Sequence, residues 1–316
     1  MAPKYKGLRG SGWQNVDSDD ADAAAAKANA SMWAHSDGNY WGAPHTSEHI
    51  TSGMYMPTVS NSLGPVLVQA PTQLDELLQL PDAASQDILD EIEKFVTLRE
   101  DFAARRLLYK RGILLWGPPG SGKTCTLHLA IQLLAAKHDS IGLLVGHPHT
   151  AAVCMQMIRR IEPSRQIIGV MEDLDALTDI FGESEFLSLM DGESQVDNVV
   201  FLGTTNYPEK LDARFVDRPS RFDTVKYIGM PSARAREAYI RHKVPEMSDE
   251  DVARCVAGTK DFSIAHLREL VVLTQCFHVS IPDALARLQG MRDLRPKSSN
   301  SPDKPNFGFL KDKRND

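Results

Sequence analysis

The chain has 316 residues and a formal net charge of −7, with an apolar fraction of 42% and a charged fraction of 24%. That length can hold one large core, or one core with a small satellite domain, and the acidic balance argues against wholesale binding of polyanions while leaving room for a local basic patch. Cys125, Cys154, Cys255 and Cys276 form no CxxC pair and read as reduced thiols, no apolar run reaches membrane-spanning length, and no secretory leader opens the chain, so a soluble cytoplasmic protein is expected.

Residues 1–62 are rich in Ser, Asp, Gly, Ala and Asn and have no sustained apolar period, which predicts a disordered arm with a brief helix at Ala21–Ala30. Trp13, Trp33, Tyr40, Trp41 and Tyr55, with His35, His45 and His49, are spaced along this region. They read either as a docking motif or as sticky residues of a flexible arm, the second being preferred, and the histidine spacing fits no compact metal site. Order is expected from Leu63. Leu74, Leu77, Leu78 and Leu80 make a short helical stripe, and Ile88, Ile92, Phe95 and Val96 a second helix running through Leu98 to Tyr109.

From Arg111 apolar runs alternate with helical segments. Ile113–Trp116, Ile141–Val145, Ile167–Met171, Val199–Gly203 and Val225–Ile228 predict five strands, and the alternation predicts a parallel sheet covered on both faces. After Pro231 the strands stop. Ser232–Arg241, Asp249–Ala257, Ile264–Phe277 and Asp283–Met291 read as helices, with Ser248, Ser263 and Ser280 as N-caps. The organisation expected is therefore an arm over 1–62, an α/β domain over 63–230, a small helical domain over 231–292 and a flexible tail over 293–316, with no internal repeat.

Four stretches carry chemistry. Gly117-Pro118-Pro119-Gly120-Ser121-Gly122-Lys123-Thr124 lies between the first strand and a helix beginning at Cys125, the strand–loop–helix order of a phosphate-binding P-loop. Its glycines let successive N–H groups point at phosphate oxygens, and the helix N-terminus adds partial positive charge. Lys123 can reach the β- and γ-phosphates and Thr124 can hold Mg²⁺. Glu172-Asp173-Leu174-Asp175 ends an apolar strand, where one carboxylate can serve a metal shell and the next can orient or deprotonate water. Asn206 ends another strand and can bond a phosphate or the attacking water; a simple turn is the plainer reading. Arg218 and Arg221 flank Pro219-Ser220 and can present planar, permanently charged donors to a triphosphate, or join Asp217 and Asp223 in a surface cluster.

Together these stretches resemble the AAA+ ATPases, of the AAA type proper. Gly117–Thr124 falls on Walker A, Ile167–Asp173 on Walker B, Asn206 on sensor 1, and Arg218 with Arg221 on the arginine fingers; Leu189-Met190-Asp191-Gly192 resembles the segment ahead of the sensor strand. The resemblance covers roughly residues 70–292. It implies a P-loop α/β domain with a five-stranded parallel sheet and a helical lid, ATP and Mg²⁺ as cofactors, contact of the nucleotide with the whole loop as far as Cys125, and a hexameric ring in which arginine fingers act in trans. An arginine finger is worth about 10³–10⁵ in phosphoryl-transfer rate.

The departures are informative. The acidic pair reads Glu-Asp rather than Asp-Glu, so Glu172 takes the metal position and Asp173 the base position, an inversion shared with AAA proteins of the mitochondrial Rieske-protein chaperone group; an active enzyme is expected. No aromatic–hydrophobic–Gly pore loop occurs around His147-Pro148-His149-Thr150, ahead of a helix over Ala151–Ile161, so threading by aromatic paddles is not expected. One extra residue after Leu211-Asp212, and Ser220 in place of Gly, keep Arg214 as a third finger candidate. Phe262-Ser263-Ile264-Ala265-His266-Leu267 resembles the sensor-2 segment with Ala265 in the AAA manner, and Arg268 reads as a surface residue. Pro81–Ala83 are candidates for adenine contact by position alone.

The function expected is a ring-forming ATPase that remodels a protein or protein assembly. A nucleic-acid motor or loader is the alternative, for which Arg159-Arg160 and the basic tails leave an opening, and a small-molecule kinase is a third reading.

Overall fold

A computed structural model describes residues 32–36, 39–43, 47–60, 64–70, 78–81, 85–191, 196–216 and 220–293. The helix expected at Ala21–Ala30, the Leu74 and Leu77 positions of the leucine stripe, and the tail from 294 lie outside them. The chain divides into two compact units, residues 1–74, 93–114 and 130–225 forming one and residues 75–92, 115–129 and 226–316 the other.

β1 (Met32–Ser36) and β2 (Asn39–Ala43) pair as an antiparallel hairpin. β3 (Gly53–Ser60), β4 (Gly64–Gln69), β5 (Lys110–Trp116), β6 (Ile141–Leu144), β7 (Ile167–Met171), β8 (Val199–Thr205) and β9 (Thr224–Tyr227) form a seven-stranded sheet in the order β4-β3-β6-β7-β8-β5-β9. β7 and β8 are buried along their whole length, as continuous apolar runs in the middle of a parallel sheet should be. The five strands expected from sequence are β5 to β9. Two more precede them: β3 runs parallel to β6, with Gly53 opposite Ile141, and antiparallel to β4, with Tyr55 opposite Gln69. Pro57 inside β3 and the exposed Met56 and Val59 hide this strand from a reading by alternation.

Helices alternate with these strands. The single helix expected through Tyr109 is broken into α1 (Ser85–Val96) and α2 (Arg99–Ala104). The Thr97 hydroxyl donates to the Lys94 carbonyl at 2.8 Å, and Arg106 takes a left-handed φ of 55°. The chain then turns Tyr109 inward to stack on Phe95, with ring centroids 4.4 Å apart. Its hydroxyl donates to the Phe95 carbonyl, and burial pushes its pKa up to about 12. α3 (Lys123–His138), α4 (Pro148–Ile161), α5 (Leu174–Phe181), α6 (Glu183–Asp191) and α7 (Ala213–Val216) follow. His147-Pro148-His149 is the first turn of α4 rather than a loop: His147 is the N-cap and Pro148 takes a position where no amide is needed. The core of this unit joins Leu143, Met155, Ile167, Phe186, Phe201 and Phe215.

The second unit carries α8 (Ala233–Lys243), α9 (Asp249–Gly258), α10 (Ile264–Val271) and α11 (Ile281–Asp293), with a π-helical turn at Val272–Cys276 after α10. Ser232, Ser248 and Ser263 accept from the amides of Ala235, Asp251 and His266, satisfying donors that a helix start leaves open, and Ser280 does the same for Asp283. Ile240, Val252, Cys255, Phe262, Leu270 and Leu288 close its core.

Candidate active site

The phosphate loop leaves β5 and ends where α3 begins at Lys123. Gly120 and Gly122 have φ of +74° and +107°, which a residue with a side chain reaches only under strain. A Cβ at Gly120 would stand 2.8 Å from the Ser263 hydroxyl, whereas one at Gly122 would meet nothing within 4 Å. The loop is also tied to α10: Ile264 donates its N–H to the Gly120 carbonyl at 3.0 Å, and Ala265 lies beside the same glycine. Lys123 is only 6% exposed and donates to the carbonyls of Gly117 and Pro118 at 2.8 and 3.0 Å. Ser121 Oγ is buried with no hydrogen-bond partner among the described residues. A buried ammonium over loop carbonyls, an orphaned hydroxyl and open space at a positive-φ glycine are the features a bound polyphosphate would satisfy, so this loop fits the nucleotide. Thr124 is exposed at the start of α3. Burial pushes the Cys125 thiol up, against a bond from the Leu78 backbone. Pro81 is partly buried, and Asp82 and Ala83 lie outside the described residues.

The acidic pair is built within the other unit. β7 and β8 are parallel, with Met171 opposite Gly203, so the residues that follow each strand emerge side by side. Glu172 is half-buried and Asp173 exposed. Asp173 adopts φ 47° and ψ 54° as the N-cap of α5, a left-handed conformation that costs about 1–2 kcal/mol for a residue with a Cβ and is tolerated best by Asp and Asn. Side-chain bonds hold it there. Asp173 donates its N–H to Thr204 Oγ1 at 3.0 Å, and Asn206 Nδ2 donates to Asp173 Oδ1 at 3.1 Å. Thr205 Oγ1 donates to Asp175 Oδ1 at 2.6 Å. The structure thus joins Asn206 directly to Asp173. Reasoning from sequence does not single out Thr204, Thr205 or Asp175; the signal for them is two hydroxyls ahead of Asn206 and a third acid after the pair.

The arginines are placed unequally. Arg221 is 6% exposed, and its Nε donates to Asp191 Oδ2 at 2.8 Å, Nη2 to Asp191 Oδ1 at 3.4 Å and Nη1 to the Arg214 carbonyl at 2.7 Å. Its guanidinium is therefore occupied inside its own chain. Arg214 is exposed and bonded to Asp212 and Glu183, and Arg214 brings the Asp212 carboxyl down to about 2. Arg218 lies outside the described residues. Arg268 is exposed. Arg159 donates to the carbonyls of Pro163, Arg165 and Asp197 at 2.8, 2.7 and 2.7 Å, so it braces the end of α4.

Residues 113–230 match the family described as "ATPase family associated with various cellular activities (AAA)". The chain is 31% identical over 229 residues to a "Probable mitochondrial chaperone bcs1" of Schizosaccharomyces pombe, covering 67% of this chain and 48% of that protein. It is 29% identical over 226 residues to an "ATP-dependent zinc metalloprotease FtsH" of Marinobacter nauticus, covering 63% of this chain and 34% of that one. It is 29% identical over 224 residues to the "ATPase family gene 2 protein" of Saccharomyces cerevisiae, covering 65% and 26%. The chain therefore spans half or less of the length of these relatives.

Proposed function

We propose, from the premise that this chain carries an AAA-family ATPase domain, that it binds and hydrolyses ATP and uses the cycle to remodel a protein or protein complex. The observation that carries the reading is the loop around Gly120 and Gly122, with its positive-φ glycines, buried Lys123 and a Ser121 hydroxyl that has no partner among the described residues. In this reading the residues from Gly117 through Cys125 cradle the triphosphate, Lys123 bonds the outer phosphates, and Thr124 and Glu172 serve as metal ligands. Mg²⁺, when bound, would offset charge on the phosphates. Asp173 takes a proton from, or orients, the attacking water, and Asn206 holds the Asp173 carboxylate toward it.

Arg218 acts as the finger in trans within a hexameric ring. Arg221, expected from sequence as a second finger, we assign instead to bracing Asp191 and the Arg214 carbonyl, because its donors are already taken. The chaperone name of the Schizosaccharomyces pombe relative supports a protein client. The use of Arg159 as an internal brace gives the nucleic-acid alternative no support. A cytoplasmic location belongs to the same proposal and is supported by the four free cysteines. Among the described residues no helix is long and apolar enough to cross a membrane.

Mixing two inactive variants tests the ring. Arg218→Ala keeps a sound loop and lacks the finger, while Lys123→Ala lacks the loop's cation and keeps the finger. Recovery of ATP hydrolysis on mixing is the expected result. No recovery, with both variants folded and able to assemble, would overturn the shared site.

A further inference from the structure

Past the paired ends of β7 and β8, side chains take over from the sheet in holding the two segments together. Two of these bonds, from Asn206 and to Thr204, touch the exposed Asp173. The third is different in kind. Thr205 has 0% exposure and Asp175 6%, so a carboxylate lies out of water with a hydroxyl donating to it at 2.6 Å. A carboxylate in that position is costly unless bonded. Asp175 stands in the first turn of α5, which starts from the left-handed Asp173. The same Thr205 oxygen accepts the N–H of Tyr207 at 3.0 Å, which fixes the turn that carries Asn206. One buried hydroxyl is thus bonded on one side to the helix that aims Asp173, and on the other to the main chain that aims Asn206.

We propose that Thr205 and Asp175 are positioning residues for ATP hydrolysis, their buried hydrogen bond setting the Asp173–Asn206 geometry in which water is deprotonated or oriented. The inference rests on the ATPase reading above. No proton is transferred within the pair: the hydroxyl keeps its hydrogen and donates it to the carboxylate. Triphosphate contacts belong to the loop from Gly117 to Thr124, so loss of the pair should fall on turnover and not on nucleotide affinity.

Thr205→Val alone would strand the buried Asp175 and could unfold the protein. The deciding variant is therefore Thr205→Val with Asp175→Leu, which replaces both partners by apolar groups and is close to neutral for stability. The expected result is a full-length protein with parental melting temperature and KM for ATP, and kcat reduced roughly 10- to 100-fold, the scale of loss when a reacting group is misplaced by about 1 Å. Thr205→Ser, which restores the hydroxyl, should recover most of that rate. A folded double variant with parental kcat overturns the proposal, as does a loss confined to KM, or Thr205→Ser falling as low as the double variant. The two readings fail separately. No hydrolysis by the parent sinks the ATPase reading, and parental hydrolysis that Asp173→Asn leaves untouched sinks Asp173 as the base, whereas hydrolysis abolished by Asp173→Asn yet unchanged in the double variant sinks only the positioning pair.

Discussion

Arg221 and Arg214 illustrate how one residue type serves two ends. Arg221 is buried against Asp191, itself 12% exposed, through Nε and Nη2. Truncating it would leave that carboxylate buried with a partner gone, and breaking such a pair costs about 3–5 kcal/mol. Arg221→Ala should therefore lower the urea midpoint sharply, while Arg214→Ala, whose side chain is 58% exposed, should leave it unchanged. Equal midpoints for the two variants would show that the Asp191 pair is not the brace described. At this scale the sequence is legible where backbone geometry demands a residue type, as at Gly120 and Gly122 with their positive φ. It is ambiguous at Arg221, because a finger and a buried brace call for the same guanidinium and only burial separates them. It is silent on Thr205 and Asp175, whose pairing depends on the parallel register of two strands far apart in the chain.

Elements are most legible where one periodicity runs uninterrupted. The apolar run bounds β7 correctly, and Ser248, Ser263 and Ser280 mark helix starts because a hydroxyl there accepts an open amide. The break between α1 and α2 is hidden: apolar spacing continues through Leu98, but the Thr97 hydroxyl bonds back to the Lys94 carbonyl and Tyr109 is turned inward onto Phe95. β3 is hidden because Pro57 interrupts its pattern and its pairing partner, β6, is distant in sequence. The packing of these elements makes a prediction about thiols. Cys276 is exposed, whereas Cys154 and Cys255 are buried, burial raising both and taking Cys255 to about 11. In native protein, iodoacetamide followed by mass spectrometry should modify Cys276 first and leave Cys154 and Cys255 untouched until unfolding. Cys125, partly buried next to Thr124, should react slowly and be protected further by ATP. Labelling of Cys255 as fast as Cys276 would contradict the helical core around it.

For the molecule as a whole, acid sensitivity is a property that the structure ties to particular groups. Glu162 accepts from the Ile50 N–H at 2.9 Å and from Arg165 at 3.0 Å, and lies 3.2 Å from His49. Burial raises its pKa, but the bonds from Ile50 and His49 and the charge of Arg165 outweigh burial and hold it below its ordinary 4.5. A depressed carboxylate contributes stability that is full above the unfolded value and is lost as pH falls through the folded one. Chemical denaturation should therefore show stability falling below pH 4.5, and Glu162→Gln should flatten that acid limb. An acid limb unchanged in the variant would mean that other carboxylates govern it. The central proposal concerns catalysis: that ATP is held by the loop from Gly117 to Thr124 and hydrolysed with Asp173, bonded to Asn206, as the base. Its most direct measurement is phosphate release from Mg·ATP by the full-length protein and by Asp173→Asn, with ATP affinity measured on both. The account predicts steady release by the parent and a fall of roughly 10²–10⁴-fold in the variant, with affinity retained. Release by Asp173→Asn at the parental rate would contradict it.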